Sequence, residues 1–139
     1  MEPPRPRHDF SPEDIDRLED RLYAHNSAAT GHVDGRGLGF EYLDEAGKQI
    51  GAIAGHTWGG VAEIAQLWVD RHRRGQGLGL ALLDAAVQEA RERGCRQVFV
   101  QSYDFQAPEL YEKRGFERLI EAPDWPHGHF HVLLRLRLD

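Results

Sequence analysis

Residues 67–79 read L-W-V-D-R-H-R-R-G-Q-G-L-G, a run that passes from apolar residues through three arginines and a histidine into a glycine-rich loop. The apolar stretch from Val61 to Asp70 predicts a strand, and the apolar spacing from Leu80 to Ala90 predicts a helix. A loop between a strand and a helix start gathers backbone N–H groups and the positive end of the helix dipole. The run therefore predicts an anion-binding loop at residues 74–79, with a tight turn that simply needs glycine as the alternative.

Two familiar phosphate-binding loops do not match these residues. A Walker loop ends in Gly-Lys followed by Ser or Thr, and residues 74–79 contain no lysine. A dinucleotide-binding loop follows the first strand of its fold and has an acidic residue about twenty positions later. Here a predicted hairpin precedes the strand that leads into the loop, so we expect a small phosphorylated ligand in another kind of fold.

The rest of the chain alternates between helical and strand patterns. Ser11 followed by Pro12 and two acidic residues predicts a helix start, and this helix is expected to run to about residue 26. Residues 28–36 read as a loop. The other predicted elements are a hairpin over 37–42 and 50–58, a strand over 61–70 buried on both faces, a helix from the loop to Gly94, a strand over 98–100, a short helix over 107–115 and a strand over 130–138.

Length and composition limit the classes of protein that remain. The chain has 139 residues, which predicts one domain over 11–139 after a flexible lead-in at 1–10. Its net charge of −6 disfavours nucleic acid as a partner, and no apolar run is long enough to span a membrane. The lone Cys95 has no internal disulfide partner. With no visible export signal, the expected location is the cytoplasm.

Two motifs together resemble the GNAT superfamily of acyl-CoA-dependent N-acetyltransferases. The family signature [QR]-x-x-G-x-[GA] is matched by Arg74, Gly77 and Gly79. A second family motif, A-x-x-[LF]-Y-x-K-x-G-F, is matched by residues 107–116. The resemblance covers about residues 38 to 120. It implies an α+β, three-layer α/β fold: the GNAT fold, in which helices flank a mixed central sheet with two splayed parallel strands.

The resemblance also implies acetyl-CoA as cosubstrate, with no metal. Its pyrophosphate would lie on the loop N–H groups, and its pantetheine would pair with the backbone of Leu67 and Val69. Asp104 stands where many family members have asparagine, so it either contacts the cofactor or faces the incoming amine. The predicted cofactor-binding residues are Leu67, Trp68, Val69, Arg74, Gly75, Gln76, Gly77, Leu78, Gly79, Asp104 and Lys113.

Two side chains are expected to carry proton transfer if the family's direct amine attack applies. Tyr111 matches the family's general acid, and a phenol of pKa about 10 suits a leaving thiolate whose conjugate acid has a pKa of about 8.5. The resemblance implies Glu63 as the general base, directly or through water, because several family members have a glutamate six residues before the position of Val69; strand alternation, which puts Glu63 on the face of Ala65, Leu67 and Val69, is a weaker support. The alternatives are a core aromatic residue for Tyr111, and for Glu63 a solvated acid with water as the base.

Three histidines alternate near the C-terminal end, at His127, His129 and His131. A strand there would put them on one face, yet Pro126 and Gly128 interrupt the pattern and no ligand set for zinc is complete. They are expected instead to form a partly exposed stripe near the mouth of the cleft, where His129 or His131 either touches the acceptor or titrates near neutrality.

The acceptor is expected to be a primary amine of a small, cationic and partly apolar molecule. This expectation rests on the acidic residues Glu63, Asp104, Glu121 and Asp124, with Tyr103 and Trp125 near them in sequence. A protein lysine or N-terminal amine is one alternative, and a module that binds acyl-CoA without transfer is another. The family resemblance also leaves a homodimer open, in which the apolar C-terminal strand would join a sheet shared by two subunits, but the sequence does not establish it.

Overall fold

A computed structural model describes residues 1–138. Two compact units are present, Met1–Val33 and Asp34–Asp139. The single domain predicted over 11–139 stays a prediction. In the first unit, residues 1–11 form no helix or strand, although the Arg7 guanidinium lies 2.6 Å from the Asp14 carboxylate. Within residues 1–138, no helix combines the length and apolarity needed to cross a bilayer.

Helix α1, Pro12–Thr30, begins where the sequence predicted and ends four residues later than expected. The N-cap is a reciprocal box: the Asp14 N–H donates to Ser11 Oγ at 3.1 Å, and the Ser11 N–H donates to Asp14 Oδ2 at 3.0 Å. The helix continues to Thr30 because Gly31 is the residue that takes the left-handed conformation, with φ 79°, and its N–H donates to the Ser27 carbonyl.

The second unit is built on one six-stranded sheet with the order β1-β2-β3-β4-β6-β5. Strands β3 and β4 run parallel, and the other neighbours are antiparallel. The strands are β1 Arg36–Leu43, β2 Gln49–Trp58, β3 Val61–Val69, β4 Gln97–Tyr103, β5 Glu117–Pro123 and β6 Phe130–Arg137. The mixed sheet agrees with the predicted fold class.

An α-helix of this unit lies between β3 and β4 in the sequence, and another lies between β4 and β5. Helix α2, Leu78–Glu92, packs on β1, β2 and β3, and α3, Pro108–Glu112, contacts α2. A bidentate pair joins α2 to the turn that follows α3, with Arg114 Nε 2.7 Å from Asp84 Oδ1. The main core forms between α2 and the central strands, and its most deeply buried side chains are Ile53, Leu82, Leu83, Val98, Val132 and Leu134.

The pairing of β3 with β4 ends halfway along β3. The two strands pair from Val61 opposite Gln97 to Ile64 opposite Val100, and then diverge. In the same place a register shift between Ala54 and Gly55 leaves an extra residue on β3, which is a β-bulge. The bulge depends on Gly55: a Cβ there would lie 2.0 Å from the Glu63 carbonyl oxygen. The splayed parallel strands predicted from the family resemblance are thus present.

Three expectations about strands are wrong. Strand β3 is not buried on both faces, because Ala65, Gln66 and Trp68 lie beyond the last pair with β4 and are exposed. Strand β5 was missed, because it is an edge strand with no buried residue and so shows no apolar alternation. Strand β6 lies between β4 and β5, so it has no free edge through which a second subunit could extend the sheet.

Candidate active site

A cavity of about 860 Å³ opens where β3 and β4 diverge. One wall is the second half of β3, from Ile64 to Val69, and the facing wall is the end of β4 from Val100 to Ser102. The cavity continues to the start of α2 and to α3. Beyond Ile64, the edge of β3 toward β4 has no strand partner, so its backbone groups are open to an extended ligand.

The loop between β3 and α2 is held in shape by Asp70. Asp70 Oδ1 accepts a hydrogen bond of 2.9 Å from the His72 N–H, and the Asp70 N–H donates to the Ile50 carbonyl of β2. The His72 hydrogen bond is the main cause that lowers the pKa of Asp70. Arg74 Nε donates to the Val69 carbonyl at 3.2 Å, which keeps its guanidinium close to the strand end.

Glycine is required at two points of this loop. Gly75 and Gly77 have φ values of 79° and 81°, which residues with a Cβ rarely adopt. Gly77 is the N-cap of α2, and no side chain caps the first turn of that helix. The N–H donors there remain available to a ligand at the positive end of the helix dipole. With Arg73, Arg74 and Lys113 in the cavity wall, this end of the cavity suits an anion.

Tyr111 lies in the same cavity wall and is almost fully buried, with 7% of its surface exposed. Its ring packs edge-on against Phe116, with centroids 5.6 Å apart. Burial raises the pKa of Tyr111 to about 12. The phenol is therefore protonated at neutral pH and presents a hydrogen-bond donor to the cavity.

Most predicted cofactor-binding residues line this cavity, and two do not. Gln76 and Asp104 lie outside the wall. Those in the wall are Leu67, Trp68, Val69, Arg74, Gly75, Gly77, Leu78, Gly79 and Lys113. Sequence reasoning missed other lining residues, among them Arg73, Gln101, Ser102 and Phe105. Their positions follow from the divergence of the strands, which no local motif encodes.

Glu63 is not part of the cavity wall. The bulge at Ala65 reverses the alternation of β3, so Ala62 and Ile64 belong to the core with Leu67 and Val69. The predicted shared face of Glu63, Leu67 and Val69 is therefore wrong. The Glu63 carboxylate lies 3.7 Å from His56 Nε2 on the neighbouring strand, and both side chains are about half exposed.

The three histidines do not form the predicted stripe. His127 lies in the turn before β6 and is fully exposed, because β6 begins only at Phe130. His131 is buried, and its Nε2 lies 2.7 Å from Gln101 Oε1. His129 Nδ1 lies 3.1 Å from Asp104 Oδ2. Among residues 1–138, no group of three His, Cys, Asp or Glu side chains is placed to hold a metal ion.

The Asp104 carboxylate lies outside the cavity wall and accepts two hydrogen bonds. Partial desolvation raises its pKa, but hydrogen bonds from His129 and from the Phe130 N–H outweigh this effect and leave the pKa below its usual value. The carboxylate is thus charged at neutral pH and lies beside His129. Both roles expected for Asp104 stay predictions.

Residues 3–116 match the model of the acetyltransferase (GNAT) family. The chain belongs to this family. It is 39% identical over 85 residues to a blasticidin-S acetyltransferase of Streptomyces morookaense, a match that covers 60% of this chain and 62% of that enzyme. It is 33% identical over 102 residues to an acetyltransferase of Agrobacterium fabrum, covering 73% and 74% of the two chains. The predicted enzyme class, acyl-CoA-dependent N-acetyltransferase, is confirmed.

Solved structures agree with this assignment. A crystal structure of an acetyltransferase from Bacillus cereus superposes with a TM-score of 0.80 at 26% identity, over 96% of this chain and 98% of that one. An aminoglycoside 6′-N-acetyltransferase solved with coenzyme A shares the fold, with a TM-score of 0.65 at 17% identity over 91% and 92% of the chains. The predicted GNAT fold is confirmed.

Proposed function

We propose that the chain transfers the acetyl group of acetyl-CoA directly to a primary amine of a small molecule. The observation that carries the proposal is the cavity between β3 and β4, whose wall combines the cationic side chains of Arg73 and Arg74 with Tyr111 and with the aromatic ring of Phe105. The names of the relatives support a small acceptor, since one acts on blasticidin S. The acceptor of this chain is a separate proposal, because the match spans less than two thirds of that enzyme.

In this proposal acetyl-CoA lies along β3 with its pyrophosphate at the loop. The N–H groups of residues 75–79 donate to the phosphates, while Arg74 and Lys113 add positive charge from the cavity wall. The pantetheine amides pair with the unpartnered edge of β3 at Leu67 and Val69. This arrangement places the thioester toward the point of divergence, within the reach of Tyr111.

The reaction is an acyl transfer from sulfur to nitrogen. The neutral amine attacks the thioester carbonyl carbon, a C–N bond forms, and the C–S bond breaks as the thiolate leaves. The attacking nitrogen loses one proton to a base, and the thiolate gains a hydrogen bond or a proton. Tyr111 is the donor in this scheme. Complete transfer from a phenol of pKa about 12 to a thiolate is uphill by roughly 5 kcal/mol, so the buried hydroxyl stabilises the developing charge chiefly by hydrogen bonding.

The base role of Glu63 stays a prediction. Glu63 lies one residue before Ile64, which lines the cavity, but its own side chain pairs with His56 outside the wall. A base there would act through water. Glu63→Gln tests the role: a general base requires that the acidic limb of the kcat/KM profile changes, and an unchanged pH profile removes Glu63 from the mechanism.

The direct test of the function is acetyl-CoA-dependent thiol release across a panel of small primary amines and lysine-containing peptides, with the products identified by mass spectrometry. The proposal expects N-acetylated small amines and no turnover of peptides. Turnover of peptides alone supports a protein acetyltransferase. Binding of acetyl-CoA without thiol release from any acceptor supports the non-catalytic module, and both outcomes contradict the proposal.

A further inference from the structure

Five aromatic and imidazole rings form a continuous series beside the cavity, and we call them the ring cluster. Trp125 stacks on His131 with centroids 4.3 Å apart and planes 17° from parallel. His131 meets Tyr103 edge-on at 4.5 Å, and Tyr103 stacks on Phe105 at 5.1 Å. Phe105 in turn meets His129 edge-on at 5.1 Å.

The ring cluster is continuous with the cavity wall. Phe105 and Gln101 both line the cavity, and Gln101 is joined to the cluster through its contact with His131. Trp125 and Phe105 are about half exposed, at 51% and 54%. Two large aromatic faces beside an open cavity leave apolar surface in water, which a ligand with an apolar face would cover.

His131 supplies an independent indication of a ligand. Only 9% of the His131 surface is exposed to solvent. Its Nδ1 atom is buried and has no hydrogen-bond partner in the part of the chain that the structure describes. Gln101 Oε1 can only accept, so His131 Nε2 donates to it and Nδ1 carries the lone pair. A buried acceptor without a donor is costly. A ring N–H of a heteroaromatic ligand that enters beside the Trp125 ring would satisfy it, while the reacting amine lies elsewhere.

The cluster also carries negative charge at its other end. Asp104 accepts from His129 Nδ1 at 3.1 Å and from the Phe130 N–H at 3.4 Å. Both bonds hold the carboxylate between the end of β4 and the start of β6. A cationic amine is attracted to this charge and to the faces of the aromatic rings.

We propose that the ring cluster is the acceptor site and that it selects primary amines attached to a flat aromatic or heteroaromatic ring. The inference rests on the proposed acetyl transfer and names the substrate class for the same cavity. A flat ring stacks on Trp125 or Phe105, while its ammonium group lies toward Asp104 and the thioester. A saturated amine of equal size and charge has no flat face to stack, and so it loses this part of the binding free energy.

The test compares 3-phenylpropylamine with 3-cyclohexylpropylamine, which match in carbon skeleton and charge and differ in flatness. We expect the wild-type kcat/KM to be about fivefold or more higher for the phenyl compound. Trp125→Leu is expected to bring the ratio close to one, with unchanged affinity for acetyl-CoA by calorimetry. Tyr42→Leu is the matched control, since Tyr42 is a partly exposed aromatic on β1 that does not line the cavity.

Equal kcat/KM values for the two amines in the wild type overturn the inference, as does a ratio that Trp125→Leu leaves unchanged. If acetyl-CoA binds but no amine is acetylated, the proposed function fails. The preference for a flat ring is then tested by measuring how each amine binds. Quenching of tryptophan fluorescence by 3-phenylpropylamine in the wild type, weaker with the cyclohexyl amine and lost in Trp125→Leu, still supports the ring site. Indistinguishable titrations of the two amines overturn it.

Discussion

The two ends of the cavity are built in different ways. In the proposed function, the cofactor end is the continuous segment from Leu67 through the glycine loop to Gly79, and it relies on backbone N–H groups and positive φ values. The proposed acceptor end is the ring cluster, which joins the end of β4, the turn before β6 and β6 itself, and it relies on side chains. A backbone site leaves a motif in the sequence, whereas a side-chain site assembled by the sheet leaves none.

The largest expected effect is at Gly55, whose absent Cβ allows the bulge of β3. Gly55→Ala places a Cβ against the Glu63 carbonyl, so backbone must move at the point where the cofactor end begins. We expect a loss of about 2–3 kcal/mol in the free energy of unfolding, with weaker binding of acetyl-CoA. Urea unfolding and calorimetry measure these two quantities.

Gly37→Ala is the control for that substitution, because Gly37 lies on the neighbouring strand and a Cβ there meets no atom within 4 Å. It is expected to be as stable as the wild type. If Gly55→Ala and Gly37→Ala unfold at the same urea concentration, the bulge does not depend on glycine and the geometric argument is wrong.

The sequence predicts more of the cofactor loop than of the residues that the sheet brings together. The cofactor loop, the N-cap at Ser11 and the splayed strands follow from local spacing or from family motifs. The exposed second half of β3 does not, because it lies beyond the last pair with β4. The position of Glu63 does not either, because the bulge at Ala65 reverses the alternation between Glu63 and the residues after the bulge. Strand β5 was missed because an edge strand buries nothing and carries charged residues such as Arg118.

The next largest effect is expected from removing the hydroxyl of Tyr111. Tyr111→Phe should lower kcat about 100-fold with unchanged affinity for acetyl-CoA, because the hydrogen bond matters only as the thiolate forms. Since burial raises the pKa of Tyr111 to about 12, the wild-type kcat profile should also lack a tyrosine inflection below pH 10. Steady-state kinetics across pH checks both expectations.

Tyr42→Phe removes the same group from a partly exposed tyrosine on β1 that does not line the cavity, and it keeps the ring, so it serves as the matched control. Its kcat is expected to stay within about twofold of the wild type, since no step of the transfer uses that hydroxyl. Equal losses of kcat in the two variants would mean that Tyr111 has no special role as a donor.

A moderate effect is expected from removing the guanidinium of Arg74, which lies in the cavity wall. Arg74→Ala should weaken binding of acetyl-CoA about tenfold, because a charge-assisted hydrogen bond to phosphate is lost, while the KM of the amine is unchanged. Arg71→Ala is the control, since Arg71 belongs to the same basic group but does not line the cavity. Calorimetry that finds equal losses for both variants would show that only general positive charge matters.

The smallest effect is expected from replacing Asp70, in the loop before α2, or Asp104, beside the ring cluster. Hydrogen bonding to the His72 N–H lowers the pKa of Asp70, and at Asp104 the bonds from His129 and Phe130 outweigh desolvation, so its pKa is also lowered. A lowered pKa in the folded state stabilises the protein above the usual carboxyl pKa, and this stabilisation is lost as the pH falls through the folded value. Asp70→Asn and Asp104→Asn should therefore unfold at slightly lower urea than the wild type at pH 7, with a smaller difference at pH 3. If the difference in urea midpoint between variant and wild type is the same at both pH values, the two carboxylates do not have lowered pKa values.

The measurement that tests the central claim most directly is a crystal structure of the protein with coenzyme A and 3-phenylpropylamine. The two-ended cavity predicts the pyrophosphate on the N–H groups of residues 75–79, the sulfur within hydrogen-bond distance of the Tyr111 hydroxyl, and the phenyl ring stacked in the ring cluster. Coenzyme A bound away from the glycine loop, or with its sulfur far from Tyr111, would contradict it.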